Sequence, residues 1–376
     1  MSNRQLVTHV GLYSLVNLRD SLEELVYNRY SIKQSDMQHL QLTAIALIDV
    51  FRQCTRLCKV SLLGDALIGV ELEELLPYGH LFHELEFGMQ FRTSVYERSL
   101  GNYLSTCQNL RKLKYIGSGA ERDSLVLFTV FRSCPLLEQL DLSLFRRDSF
   151  NPQVAIPSRL GCQRLYKLTL WHSVMSTTML RIITGMEMLK ELVLSHCEEL
   201  SDATMAILAT TNLVKLSIDD SNWMTWTWTA SALQPFVGSS ISQTLEVFSL
   251  SFLVRSRIDD VQVAMVFASC HNLTSLSIET DPDNCLFGRG GLAGLQAMAT
   301  GCPLLTDIAL RMSDEGMQYI ARHFPNLKRF TTTVEDDDLV DRVRDDLRNL
   351  NPVVEWKFVV DEMMYDDGDE YDDFED

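Results

Sequence analysis

One nine-residue pattern recurs along this chain and constrains its fold more than any other feature. It reads C-P-L-L-E-Q-L-D-L from Cys134, C-Q-R-L-Y-K-L-T-L from Cys162 and M-E-M-L-K-E-L-V-L from Met186. Each copy places leucines three, six and eight positions after its first residue, and the three copies start 28 and 24 residues apart. Periods of this length are typical of solenoids, in which one structural unit stacks on the next.

The end of each copy predicts a β-strand, because the leucines of L-x-L point to one side of an extended chain and their neighbours to the other. After Leu194, a polar segment from Cys197 to Asp202 precedes apolar residues at helical spacing. Ser201 and Asp202 can accept hydrogen bonds from the free amides of a first helical turn, so we expect a helix to begin there. A strand and a helix that each have one apolar face can bury those faces only by stacking on neighbouring units.

The pattern covers almost the whole chain. Thirteen copies start at Arg19, Cys54, Gly79, Cys107, Cys134, Cys162, Met186, Thr210, Ser242, Cys270, Cys302, Phe324 and Leu350. The twelve intervals between them average about 28 residues. In the last copy Val353, Trp356 and Phe358 occupy the leucine positions, which predicts a closing strand after a charged amphipathic helix over 334–349.

The chain therefore resembles leucine-rich repeat proteins, and among them the cysteine-containing subtype found in F-box receptors of ubiquitin ligases. Six copies open with C-x-x-L-x-x-[LVI]-x-[LIY], at Cys54, Cys107, Cys134, Cys162, Cys270 and Cys302. The resemblance implies an α/β horseshoe with a parallel sheet on its concave face and helices outside. It also implies a protein partner on that face, with substrate recognition for a ubiquitin ligase as the most specific form. An F-box, which usually opens near Leu-Pro, is not recognisable in Met1 to Leu18.

Charge divides the chain unevenly and suggests an alternative function. The net charge is −18, and residues 361–376 hold ten acids and no base. Such a run repels itself and buries no core, so we expect residues 361–376 to form a disordered acidic tail. The copies of the repeat pattern predict a lead-in at 1–18 and a repeat domain at 19–360 with about 12 to 13 repeats. With its aromatic residues the tail is similar to those of histone chaperones, which favours a chaperone or regulator of a basic protein such as a histone, a ribosomal protein or a GTPase.

Other classes of function find little support in the sequence. No G-x-S-x-G motif is present, and we interpret the eight histidines as unrelated in repeat position, so we expect no enzyme and no cofactor. Cysteines at a shared repeat position predict buried thiols, and Cys54-x-x-x-Cys58 lacks a partner pair for zinc. Negative charge disfavours nucleic acid. We expect no membrane span and a place in the cytosol or nucleus, because neither a long apolar run nor a signal peptide is apparent.

Candidate partner contacts come from the concave strand positions and from two long loops. On the strands we expect contacts from Trp171, Ser195, Ser217, Ser249 and Ser277. The units that start at Thr210 and Cys270 are 32 residues long and carry unusual loops at 221–229 and 281–291. These loops leave equivalent points of the repeat, so their residues can form one site on one rim: Trp223, Trp226, Trp228, Phe287 and Arg289. Trp and Arg are enriched in binding hot spots. The alternatives are tryptophans that pack on neighbouring repeats and a solvated sheet without a partner.

Overall fold

A continuous parallel sheet runs through the protein. The computed structural model describes residues 9–29, 37–64, 72–88, 94–117, 129–144, 161–220, 231–252, 260–279, 292–334 and 337–360. Within these residues thirteen strands pair in chain order from first to last. They are β1 (Glu24–Arg29), β2 (Lys59–Gly64), β3 (Glu84–Gly88), β4 (Lys112–Gly117), β5 (Gln139–Leu144), β6 (Lys167–Trp171), β7 (Glu191–Ser195), β8 (Lys215–Asp220), β9 (Val247–Phe252), β10 (Ser275–Glu279), β11 (Asp307–Leu310), β12 (Arg329–Val334) and β13 (Glu355–Val360). The open sheet confirms the predicted leucine-rich repeat solenoid.

Helices follow the strands and cover one face of the sheet. They are α1 (His9–Leu15), α2 (Met37–Gln53), α3 (Leu72–Leu75), α4 (Ser94–Thr106), α5 (Thr177–Thr184), α6 (Asp202–Leu208), α7 (Ser240–Thr244), α8 (Asp260–Ala268), α9 (Leu292–Gly301), α10 (Asp314–His323) and α11 (Asp337–Leu350). Short 3-10 helices occur at Val16–Leu18, Leu76–Leu81 and Gln234–Phe236. None of the described helices is long and apolar enough to span a lipid bilayer.

The repeat leucines form the core between the sheet and the helices. In β6, Leu168 and Leu170 are fully buried, while Thr169 between them lies on the opposite face. Complete burial of a leucine side chain stabilises the fold by about 2 kcal/mol. Because the pattern recurs in successive strands, these contributions form one contiguous core along the solenoid.

The helix predicted after β7 begins where its capping residues place it. The Ser201 hydroxyl accepts a hydrogen bond from the Thr204 amide at 3.4 Å, and the Thr204 hydroxyl accepts one from the Ser201 amide at 3.2 Å. This reciprocal capping box satisfies two amides that the first helical turn leaves free. Met205 and Leu208 of α6 are fully buried, so local capping and core packing favour the same helix.

The repeat cysteines lie in the interior and connect neighbouring units. The eight cysteines among the described residues are free thiols, and all but Cys58 are buried. The Cys134 thiol donates to the Leu104 carbonyl at 3.6 Å and the Cys302 thiol to the Phe267 carbonyl at 2.7 Å. In both cases the acceptor carbonyl lies about one repeat length earlier, 30 and 35 residues before the cysteine, where a small side chain with a weak donor can reach it.

Burial keeps five of these thiols protonated at neutral pH. It raises the pKa of Cys134 and Cys302 to about 12 and that of Cys162 and Cys270 to about 11, and it raises the pKa of Cys107 as well. The thiolate is the form that attacks electrophiles and binds metals. These five buried cysteines are therefore poor nucleophiles and poor metal ligands at neutral pH.

The closing repeat departs from the prediction at one core position, although Trp356 and Phe358 keep the predicted register. The predicted assignment of Val353 to a core position is wrong, because Val353 is 81% exposed while Val354 is buried. Side chains alternate along a strand, so Val354 lies on the same side as Trp356 and Phe358. Trp356 packs against Phe330, with 5.3 Å between ring centroids. The Arg344 guanidinium of α11 lies 5.5 Å from the Phe358 ring centroid, so the predicted last helix covers this strand.

The structure describes the helix near the amino end of the chain but not the acidic segment at the carboxyl end. At the amino end α1 packs against α2, and Leu12 is fully buried between them. Residues 361–376 lie outside the described residues, so the disordered acidic tail stays a prediction, as do the domain limits.

Candidate protein-binding surface

Side chains of the concave face form three rows that cross the strands. Strand positions one, three and five point away from the helices, while the leucines between them point toward the core. The parallel register aligns equivalent positions of neighbouring strands. Each row therefore collects residues that are 22 to 35 positions apart in the sequence.

Opposite charges alternate along the first row. From β1 to β13 the row reads Glu24, Lys59, Glu84, Lys112, Gln139, Lys167, Glu191, Lys215, Val247, Ser275, Asp307, Arg329 and Glu355. One Glu84 oxygen lies 3.4 Å from the Lys59 ammonium and 3.6 Å from that of Lys112. Exposed pairs of this kind contribute only about 0 to 1 kcal/mol each. Their main effect is mutual neutralisation, so the lysines do not form a basic patch.

The second row adds a bonded acid in β3. Glu86 accepts hydrogen bonds from the Ser61 hydroxyl and pairs with the Lys114 ammonium, both at 2.7 Å. Burial alone raises the pKa of Glu86, but these two groups outweigh it and hold the pKa below its usual value. Glu86 therefore stays ionised at neutral pH and holds the side chains of Ser61 and Lys114 in place.

Asp141 of β5 stands in a different environment. Burial raises its pKa, although the charges of Lys114 and Lys167 partly oppose the rise. Asp141 and Glu86 both line a depression of about 520 Å³ over β1 to β6. A smaller depression of about 300 Å³ covers β10 to β13, and Asp307 and Arg329 line it. Charged depressions therefore occupy the two ends of the concave face.

Predicted contact serines meet in the middle of the second row. Ser217, Ser249 and Ser277 occupy matching positions of β8, β9 and β10. Beside them the first row carries the uncharged Val247 and Ser275. The structure thus brings these three predicted residues together on a hydroxyl-rich floor, and Ser277 also lines the smaller depression.

The fifth-position row lies at the carboxyl ends of β6 to β10. We use this name for Trp171, Ser195, Asp219, Ser251 and Glu279, which pair in register. Trp171 is 37% exposed, whereas Ser195 is only 1% exposed. The predicted contact Ser195 therefore offers almost no surface of its own. Its hydroxyl donates to Asp219 at 3.1 Å, and the Ser251 hydroxyl donates to Glu279 at 3.2 Å.

Sequence reasoning missed both carboxylates of this row. Asp219 and Glu279 each directly follow the second leucine position of their strand, as Trp171 does. This shared position in the repeat could have identified them from the sequence. The predicted rim residues Trp223, Trp226, Trp228, Phe287 and Arg289 lie outside the described residues. Their role as partner contacts stays a prediction.

A pair of histidines follows the strands β6 and β7. The expectation that the histidines are unrelated in repeat position is wrong for His172 and His196, which occupy equivalent places 24 residues apart. Their φ angles are 53° and 51°, in the left-handed region that non-glycine residues uncommonly adopt. The two rings stack with 4.9 Å between centroids, and the Trp171 ring centroid is 6.2 Å from that of His196. Three aromatic rings therefore meet at this rim.

Replacing His172 with Asn is expected to reduce the loss of stability in mild acid. Burial, and then the charge of His196, lowers the pKa of His172. Below the unfolded histidine pKa of about 6.5, the unfolded chain takes up a proton that the folded chain resists, so the wild type loses stability as pH falls. Asn tolerates the left-handed conformation and does not titrate.

Urea midpoints measured at about pH 7.5 and about pH 5.5 test this expectation. The difference between the two midpoints should be smaller for His172→Asn than for the wild type. His83→Asn, which removes an exposed histidine elsewhere, serves as the control. Equal pH dependence in the wild type and both variants would contradict the role of His172.

Comparisons with known proteins leave the family open. No protein-family model matches the chain, and no curated protein matches its sequence. Among solved structures, the chain is similar to one from the yeast Rad7 and Elc1 complex, with 18% identity over 87% of this chain and 80% of that one and a TM-score of 0.49. LegL7, a leucine-rich repeat-containing protein of Legionella pneumophila, shows 13% identity over 89% of this chain and 91% of its own, with a TM-score of 0.44. The architecture therefore rests on the strands and helices of this chain itself.

Proposed function

We propose that this protein is a non-enzymatic interaction scaffold or receptor that binds a protein partner across its concave face. The observation that carries the proposal is the sheet of thirteen strands, whose helices cover one face while the other presents aligned rows of side chains. With strands about 4.8 Å apart and about 16 Å of each strand contributing, this face spans roughly 900 Å². A standard interface buries about 800 Å² per partner, so the face is large enough for one.

The floor around Ser217, Ser249 and Ser277 supports close approach of a partner. Small side chains let a partner backbone come near the sheet, and hydroxyls can both donate and accept hydrogen bonds. The charged depressions on either side then favour a partner with charges of both signs. We propose Trp171 and the rim residues Trp223, Trp226, Trp228, Phe287 and Arg289 as further contacts, together with Ser195 through its hold on Asp219.

Arginines placed on the serine floor test the proposal. In the double variant Ser217→Arg, Ser249→Arg, two long charged side chains fill the space where the partner would lie. The matched control is Ser14→Arg, Ser105→Arg, which alters exposed serines of the helices α1 and α4. Circular dichroism and thermal unfolding first establish that both variants fold.

Quantitative affinity purification with photo-crosslinking then compares the variants. We expect the control to retain the wild-type partners and the floor variant to lose about 90% or more of at least one of them, which is a loss of about 1.4 kcal/mol in binding. A folded floor variant that keeps every partner would refute concave-face binding.

Ubiquitin ligase substrate recognition is the most specific form that we propose. Its support is the resemblance of the cysteine-containing repeats to those of F-box receptors. Recovery of a cullin–Skp1 assembly with the wild-type protein would support it. The alternative is a chaperone or regulator of a basic protein in the cytosol or nucleus, which the ten acids of residues 361–376 favour. Recovery of histones or ribosomal proteins that is lost on deletion of 361–376 would support that alternative.

A further inference from the structure

The fifth-position row differs in charge from the rest of the concave face. Asp219 and Glu279 are its two acidic members, and no lysine or arginine stands in it between Trp171 and Glu279. In the first row, by contrast, lysines neutralise the acids on neighbouring strands. Arg311, one residue beyond the end of β11, occupies the next place after Glu279 and is buried. From Trp171 to Glu279 the row therefore carries two acidic side chains and no basic one.

Serines on the neighbouring strands fix how these carboxylates point. The Ser195 hydroxyl holds one Asp219 oxygen at 3.1 Å, and the Ser251 hydroxyl holds one Glu279 oxygen at 3.2 Å. A carboxylate offers about four acceptor positions, so each acid keeps capacity for an arriving donor. Prior orientation reduces the entropy lost when a partner binds.

The aromatic and acidic members of the row stand on alternate strands. Trp171, Asp219 and Glu279 belong to β6, β8 and β10. Two strand spacings separate neighbouring members, which is about 9.6 Å along the sheet. A polyproline II helix turns once in three residues and advances about 9.3 Å, so every third side chain faces the same way at a matching interval. A β-extended segment instead repeats its direction after about 6.8 Å, which does not match.

We propose that the fifth-position row binds a polyproline II segment of the partner that carries a basic residue at every third position. Two bases pair with Asp219 and Glu279, and a third lies over the Trp171 indole in a cation–π contact. The proposal rests on the proposed function, because it places a partner on the same face. The net charge of −18 also attracts basic segments to the protein.

Two peptides of identical composition test the spacing. The first, P-R-P-P-R-P-P-R-P, places arginines three residues apart on a backbone that favours polyproline II. The second, P-P-P-R-R-R-P-P-P, has the same charge in one block. Fluorescence anisotropy with the full-length protein measures the Kd of each labelled peptide. We expect the spaced peptide to bind about fivefold more tightly than the block peptide.

A matched pair of variants tests the carboxylates. Asp219→Asn, Glu279→Gln should weaken binding of the spaced peptide by about fivefold or more and remove its advantage over the block peptide. The control Asp20→Asn, Glu187→Gln removes the same charge from exposed sites elsewhere and should keep that advantage. Trp171→Leu should also weaken the spaced peptide.

Two results would overturn the proposal. One is equal affinity for the two peptides, which indicates attraction by charge alone. The other is a row variant that binds as the control does. The proposed function fails separately, since it requires partner recovery to depend on Ser217 and Ser249 whatever the peptides do.

Discussion

Leu216→Ala is expected to lower the free energy of unfolding by about 3 kcal/mol. Leu216 is the first core leucine of β8, in the middle of the sheet, and is fully buried. It lies between Leu192 of β7 and Phe248 of β9 in the parallel register. Truncation removes the transfer free energy of the lost methyl groups and leaves a cavity that the neighbouring strands can only partly close.

Because Leu216 lies in a central repeat, its substitution should also affect the cooperativity of unfolding. Each repeat of a solenoid contacts only its neighbours, so a weakened central repeat loosens the coupling between the two halves of the sheet. Urea unfolding followed by far-ultraviolet circular dichroism should therefore show a lower midpoint, and a broader transition if the halves begin to unfold separately.

Leu304→Ala supplies the control. Leu304 is 49% exposed in the turn before β11, so its loss should change the free energy of unfolding by about 0.5 kcal/mol or less. Equal effects of the two substitutions would mean that Leu216 does not face the core, which would contradict the arrangement of the repeat.

Gly301→Ala is expected to destabilise the protein by about 3 kcal/mol, or to prevent folding. Gly301 ends α9, which packs on α8. A Cβ atom there would lie 2.2 Å from the carbonyl oxygen of Ala268 and 2.3 Å from its Cα atom. These are backbone atoms, so the overlap cannot be relieved by a change of rotamer and requires the two helices to separate.

Gly101→Ala in α4 is the matched control for this effect. A Cβ atom at Gly101 would meet the Thr129 hydroxyl oxygen at 3.4 Å, which is ordinary van der Waals contact. Because alanine loses less conformational entropy than glycine in a helix, this variant should be unchanged or more stable by about 0.5 to 1 kcal/mol. Thermal unfolding of both variants makes the comparison. A Gly301→Ala protein as stable as the wild type would show that the two helices lie further apart.

Repeat period and leucine spacing predicted most of the fold. They indicated the strands, the helix that Ser201 caps and the amphipathic helix before the closing strand, because these depend on local pattern and local capping. Where the pattern weakened, one assignment failed: Val354 rather than Val353 entered the core, although β13 kept its predicted register. Val354 directly precedes β13 and continues its alternation of side chains toward the core.

The sequence by itself determined which side chains face away from the helices, since position within a strand fixes the face. Only the tertiary structure decided which of them become neighbours. Ser195 and Asp219, like His172 and His196, are 24 residues apart, and stacking of the repeats brings each pair into contact. The physical reason is that contacts between repeats depend on the register of neighbouring strands and the separation of neighbouring helices, which no single repeat encodes.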